Sequence, residues 1–194
     1  IDFGIYPYTS SSSTIAAYAP IGAGIPGVKL DKTIGIMKAY SSCVGEGPFT
    51  CELFGEEGNA LREAGGEYGA ATGRPRRVGG FDAPASRYGI LMQGADAIAL
   101  TKLDVLSYLA KIPVCVRYSI NGVETDKFPY GEALAAAKPV YEYLDGWNCD
   151  ITGCRSYAAL PEKAKAYIDY IGKITGANIK YVSVGAGRDE YFTM

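Results

Sequence analysis

The run Ala95-Asp96-Ala97-Ile98-Ala99-Leu100 passes directly into Thr101-Lys102-Leu103-Asp104. A short, mostly apolar stretch of this kind reads as a buried strand, and its exit into charged residues puts Lys102 and Asp104 at the strand's carboxyl end. Open α/β sheets collect their ligands at that end. The run from Ile179 to Val184 leaves in the same manner, through Gly185-Ala186-Gly187-Arg188, and brings Ser183, Val184 and Gly185 to the same sheet edge. Before it lies the clearest helix of the chain. Pro161 opens it, Ala164, Ile168, Ile171 and Thr175 recur at helical spacing, and Gly176 closes it as a left-handed cap. Together these elements call for an α/β chain with a mostly parallel central sheet flanked by helices.

The remaining segments alternate strand-like and helix-like patterns, with no repeats or low-complexity linkers. Ile1 to Tyr8 reads as a first strand, and Thr9 to Thr14 as a hydroxyl-rich run that caps a short helix from about Ile15. Such a start can present N–H groups and hydroxyls, Ser10 among them, to a phosphate; it can equally be a plain cap. Ile34 to Val44 reads as a helix end passing into a strand. Asn59 to Tyr68 and Phe81 to Met92 read as helices, the second by its Tyr88, Leu91 and Met92 face. Pro113 to Ile120 reads as a strand entering a hairpin at Asn121-Gly122.

Two motifs carry chemistry. The first is Gly69-Ala70-Ala71-Thr72-Gly73-Arg74-Pro75-Arg76-Arg77. Arginine forks grip carboxylate and phosphate oxygens in pairs, and glycines let backbone N–H groups come close to a ligand. A run such as Arg-Pro-Arg-Arg also serves as a solvated basic patch or a nucleic-acid contact, but those roles do not call for Gly66, Gly69, Gly73, Gly79 and Gly80 around it. The second motif is Lys102-Leu103-Asp104. A carboxylate there can accept the N1 and amino hydrogens of guanine, while a lysine stem lies across the purine face. An acidic residue after a strand can instead cap a helix. Read together, the two motifs propose a guanine nucleotide and a second anion.

Composition narrows the classes. With 194 residues, 48% hydrophobic and 21% charged, residues 1–194 can bury one core as a soluble domain. A net charge of −2 argues against general nucleic-acid binding, so the arginines are local equipment. Glycine, at 25 residues, is well above its usual share of about 7%, which marks a loop-rich chain. Cys43, Cys51, Cys115, Cys149 and Cys154 form no C-x-x-C pair, and the chain has no histidine to complete a zinc set. They read as reduced thiols of a cytoplasmic protein, with Cys43 and Cys115 as core fillers. No segment reaches the ~18 consecutive apolar residues of a membrane span.

The motifs sit in a wider pattern: Asp2-Phe3-Gly4, Gly35-Ile36-Met37-Lys38-Ala39-Tyr40-Ser41, Val44-Gly45-Glu46-Gly47-Pro48-Phe49, Glu52-Leu53-Phe54, the arginine loop, Leu100 to Leu106, Tyr141 to Trp147 and Ser183-Val184-Gly185. In that order they resemble the adenylosuccinate synthetase family, GTP-dependent ligases that join IMP and L-aspartate in AMP biosynthesis. The resemblance implies a P-loop-NTPase-like architecture, a cytoplasmic homodimer and a Mg2+ cofactor. It implies that Arg76, Lys102, Leu103, Asp104, Ser183, Val184 and Gly185 bind GTP, and that Ser10, Val44 and Arg74 bind IMP. The loop Ala70, Ala71, Thr72, Gly73, Arg74, Pro75 and Arg76 would enclose aspartate. The family's glycine-rich phosphate loop, its magnesium aspartate and its catalytic histidine have no counterpart here, so the resemblance covers the C-terminal part of such an enzyme. No catalytic residue and no metal ligand is then expected within the chain, and by itself it is expected to be inactive. Compactness from Tyr18 to Leu30 and from Asn121 to Ala137 resembles the shorter archaeal forms. Ala71 and Pro75 replace the usual threonine and arginine, Ser10 replaces threonine, and Ala186-Gly187 replace a proline–aspartate pair. The loss of the Ala71 hydroxyl bears most on how aspartate is held.

Two other classes compete. A regulatory GTP-binding module would use Lys102 and Asp104 but leave the arginine loop and serine run without a ligand. A dimerisation module would need none of these polar sites, and 16 tyrosines could supply its interface.

Overall fold

Residues 3–10 and 12–194 are described in the computed structural model. In chain order, the elements are α1 (Ala19–Gly22), β1 (Ile34–Lys38), β2 (Ser41–Cys43), α2 (Gly55–Gly65), β3 (Arg77–Gly79), β4 (Phe81–Asp82), α3 (Ala83–Gln93), β5 (Ala97–Thr101) and β6 (Lys111–Ile120). There follow β7 (Val123–Thr125), α4 (Gly131–Ala135), β8 (Lys138–Asp145), α5 (Glu162–Thr175), β9 (Ile179–Ser183) and β10 (Tyr191–Thr193).

The two apolar runs form the inner strands of the main sheet, whose order is β1-β5-β9-β10. Strands β1, β5 and β9 are parallel, and β10 closes the far edge antiparallel to β9. Burial of Ala97, Ile98, Leu100, Val182 and Val184 explains why both runs are almost continuously apolar. A second sheet places β6 between β4, which is parallel to it, and the antiparallel β7 and β8. β2 and β3 make a separate antiparallel pair. The chain is therefore α/β with a mostly parallel main sheet, as the sequence patterns require, beside a mainly antiparallel layer.

Helix α5 follows its spacing. Ala164, Tyr167, Ile168, Ile171 and Thr175 are buried along one face, and Gly176 adopts φ 71° to end it. Its Tyr167 has a direct bearing on the carboxyl edge of the sheet: the hydroxyl donates to the carbonyl of Ala39 at 2.5 Å, and the ring meets Trp147 edge-on at 6.0 Å. The amide of Ala39 in turn donates to Thr101 O at 2.8 Å. Lys38 and Tyr40, on either side of Ala39, are thereby fixed beside the end of β5.

Several expectations require correction. Phe3 to Tyr8 form turns and bends and not a strand, while Ile1 and Asp2 lie outside the described residues. The residue that begins the short helical segment at Ala16–Tyr18 is Ile15, with no side-chain cap, so the hydroxyl run does not cap it; Ser11 of that run lies outside the described residues. Ile34 to Val44 contains no helix end: it is β1, a two-residue corner and β2. The helix placed at 59–68 begins at Gly55 and stops at Gly65, because Gly66 turns left-handed at φ 57°. Phe81 and Asp82 form β4, and Asp82 caps α3 by accepting from Ala85 N at 3.0 Å. Cys115 is fully buried as a core filler, but Cys43 is only half-buried.

Candidate functional site at the carboxyl ends of the parallel strands

Three parallel strands deliver polar groups to one edge. β1 ends in Lys38, β5 runs into Lys102, Leu103 and Asp104, and β9 ends in Ser183. The two neighbouring loops are stitched together, since Leu103 N donates to Ser183 O at 3.4 Å. Leu103 and Val184 are fully buried, so only their backbone can face a ligand. The Ser183 hydroxyl donates to Gly185 O at 2.9 Å and shapes the second loop.

Asp104 is the first residue inside the 3-10 turn Asp104–Tyr108, whose cap position belongs to Leu103. It is not a helix cap. That turn is held from behind by Trp147, which donates to Ser107 Oγ at 2.8 Å. The Asp104 Oδ1 atom is buried and accepts no hydrogen bond among the described residues. Burial pushes its carboxyl above the usual range, a bond from its own backbone N–H and then the charge of Lys102 draw it back, and Glu190 and Asp150 raise it further. A desolvated acceptor without a donor is a costly feature in a folded chain unless something else fills it.

The arginine loop is a hairpin. Arg76 N donates to Glu67 O at 2.9 Å, Gly69 N to Arg74 O at 2.8 Å, and Gly73 N to Gly69 O at 2.8 Å, with Gly73 at φ 64°. Its tip, Ala70, Ala71, Thr72, Gly73, Arg74 and Pro75, is exposed. Arg74 forms no salt bridge among the described residues, whereas Arg76 turns inward and donates to Glu67 Oε2 at 3.0 Å. The buried Nε of Arg76 has no acceptor among the described residues.

Glu67 was not legible as a functional residue. It is fully buried, and its Oε1 accepts from Lys38 at 2.8 Å and from Tyr40 at 2.5 Å, with Lys102 Nζ at 3.5 Å. Burial would raise its carboxyl, but the Lys38 and Tyr40 hydrogen bonds and the charges of Lys38 and Lys102 outweigh that and hold it at about 2. Lys102 adopts φ 59°, rare for a long side chain, and also donates to Gly65 O at 2.6 Å. Arg77, next in sequence to Arg76, faces the other way. It grips Glu52 with two bonds of 2.9 and 2.6 Å and donates to Gly45 O and Gly47 O, fixing the loop after Val44.

Val44 and Ser10 are both exposed. Ser10 lines a groove of about 490 Å³ with Tyr8, Thr14 and Gln93, and a wider groove of about 720 Å³ holds Lys38, Ser41 and Ser42. Thr14 and Gln93 border both, so the two form one trough. No hydrogen bond joins Ser10, Val44 and Arg74 to one another among the described residues. Thus the structure gathers Arg76, Lys102, Asp104 and Ser183 to Gly185, leaves the tip from Ala70 to Pro75 exposed, and puts Ser10 in a trough whose lining does not include Val44.

Among the described residues no group of three or more His, Cys, Asp or Glu is placed to hold a metal ion. No helix among them is long and apolar enough to cross a membrane.

Comparison with known proteins agrees with the arrangement. The family model described as adenylosuccinate synthetase matches residues 1–192. Adenylosuccinate synthetase of Thermobifida fusca is 50% identical over 191 residues, covering 98% of this chain and 45% of that protein. That of Kineococcus radiotolerans is 47% identical, with the same two coverages. The structure of fully ligated adenylosuccinate synthetase from Plasmodium falciparum superposes with a TM-score of 0.94 at 41% identity, over 100% of this chain and 47% of that one. The chain thus spans about half the length of the curated relatives it matches. Motifs, sheet topology and these likenesses together show that the chain belongs to the adenylosuccinate synthetase family.

Proposed function

We propose that this chain serves the GTP-dependent ligation of IMP and L-aspartate to adenylosuccinate, supplying the guanine reader, the aspartate loop and part of the IMP site. In that reaction the γ-phosphoryl group of GTP passes to the 6-oxygen of IMP, and the aspartate amine then displaces phosphate from carbon 6. Both steps crowd anions, and fixed cations screen the repulsion without having to reorganise. The observation that carries the reading is the buried Oδ1 of Asp104 beside Lys102, which has no partner among the described residues and is an acceptor of the kind a guanine edge satisfies.

Each part has its role. Lys102 and Asp104 take the base, with Ser183, Val184 and Gly185 closing on it through backbone. Arg76 meets phosphates and aspartate, and the tip from Ala70 to Pro75 folds over the aspartate, Arg74 reaching its carboxylate and the IMP ribose. Closure of that tip excludes water from the phosphorylated intermediate. Val44 lies along the IMP ribose, and the trough lined by Ser10 takes the phosphate. Magnesium, a homodimer and a cytoplasmic setting belong to the same reading.

Titration of the 194-residue chain with GTP and ATP tests the reading. GTP is expected to bind at least tenfold tighter, because ATP offers Asp104 no matching N1 hydrogen. With GTP, IMP and aspartate together the chain alone is expected to form no adenylosuccinate, since it has no histidine and no phosphate loop to prepare the 6-oxygen. Equal affinity for ATP would overturn the base assignment, and product from a chain of verified mass would overturn the division of labour.

A further inference from the structure

Arg76 and Lys102 reach the ligand edge from different elements, yet both converge on one carboxylate. Arg76 donates to Glu67 Oε2 at 3.0 Å, while Lys102 Nζ stands 3.5 Å from Oε1, where Lys38 and Tyr40 also donate. Backbone bonds hold Glu67 as firmly: its N–H donates to Arg62 O and its carbonyl accepts from Arg76 N, both at 2.9 Å. Three cations share the one Glu67 carboxylate, and the buried Arg76 Nε is still without an acceptor among the described residues.

The geometry points to Glu67 as the positioning residue that joins the guanine reader to the arginine loop, holding Lys102 flat for the base and Arg76 turned inward for an anionic group. The inference rests on the assignment of GTP to Lys102, Asp104 and Arg76. Glu67 touches no ligand in this account and acts through the cations. Without its charge, Arg76 and Lys102 lose their common anchor, and among the described residues the Lys102 ammonium keeps only its bond to the Gly65 carbonyl.

The conservative variant Glu67→Gln keeps the shape but turns an amide donor on one of the cations. Glu67→Asp keeps the charge and shortens the reach. GTP and ATP affinities are to be measured on each folded chain, with binding stoichiometry reporting the active fraction. A purely structural role lowers that fraction and leaves the GTP-to-ATP ratio intact. Positioning lowers the ratio: a loss of about tenfold is expected in Glu67→Gln, the size of one charged hydrogen bond set out of line, and a smaller loss in Glu67→Asp. Tyr40→Phe, which removes a neutral donor and no charge, is expected to keep the ratio. An unchanged ratio in folded Glu67→Gln, or in folded Glu67→Asp should the first variant not fold, would overturn the inference. A wild-type chain without GTP preference would instead remove the guanine assignment beneath it.

Discussion

Asp104→Asn is expected to weaken GTP binding by about ten- to a hundredfold while XTP gains what GTP loses. Hydrogen bonds to a charged group contribute roughly 1.5–3 kcal/mol each, and the substitution replaces an acceptor oxygen with an amide donor that faces the guanine amino group with the wrong polarity. Xanthine carries a carbonyl at that position and accepts from the new amide. The structure adds a second, opposite effect. The Asp104 carboxyl is pushed up by burial and its Oδ1 has no partner among the described residues, so removing the charge should make the unliganded chain more stable. Equilibrium titration with GTP and XTP and a thermal melt check both arms. A variant that keeps its GTP preference would take Asp104 out of the site, and one that melts lower would contradict the vacancy argument.

The second large effect is on acid stability. The Glu67 carboxyl lies at about 2 against an ordinary value of 4.5, a difference equivalent to about 3 kcal/mol of native-state stabilisation. Its folded value is the lower one, so the unfolded chain binds this proton first as pH falls. The contribution is complete above about pH 5, with about 2 kcal/mol gone by pH 3 and the rest by pH 1. Asp82 and Asp104, whose carboxyls are raised by burial, work in the opposite direction and blunt the loss. Denaturant unfolding of wild type and Glu67→Gln at pH 6 and pH 3 isolates the residue: the wild type should lose about 2 kcal/mol more than the variant over that interval. Parallel losses would show that the cluster does not hold the Glu67 proton off.

Strands β5 and β9 and helix α5 were legible because each is decided locally, by an apolar run or by a buried stripe with a glycine stop. Strand β1 was not. It carries Gly35 and Lys38, stands at the sheet's edge with Ile36 exposed, and is defined by pairing with β5, residues distant in sequence. Phe3 to Tyr8 shows the converse error, since an apolar alternation with Pro7 and no pairing strand settles into turns. Lys102 and Asp104 were readable because their place follows from the strand before them. Glu67 was hidden for a different reason. In sequence it is one acid after two glycines, and its meaning comes from Lys38 and Tyr40, 29 and 27 residues away, and from Lys102. The arginine loop and Lys102 were visible in the sequence, but which acid collects their charges is decided by packing. Arg76 and Arg77 teach the same lesson, because neighbours in one basic run point to opposite tasks, one at the ligand edge and one bracing the loop after Val44.

The central claim is that guanine is read at the carboxyl ends of β5 and β9. A crystal structure of the chain with GDP tests it most directly. The account predicts the guanine N1 and amino groups within hydrogen-bond distance of the Asp104 carboxylate, filling Oδ1, with the Lys102 stem across the ring and Ser183 to Gly185 beside it. A nucleotide seated elsewhere, or one whose base leaves Asp104 Oδ1 without a donor, would contradict it.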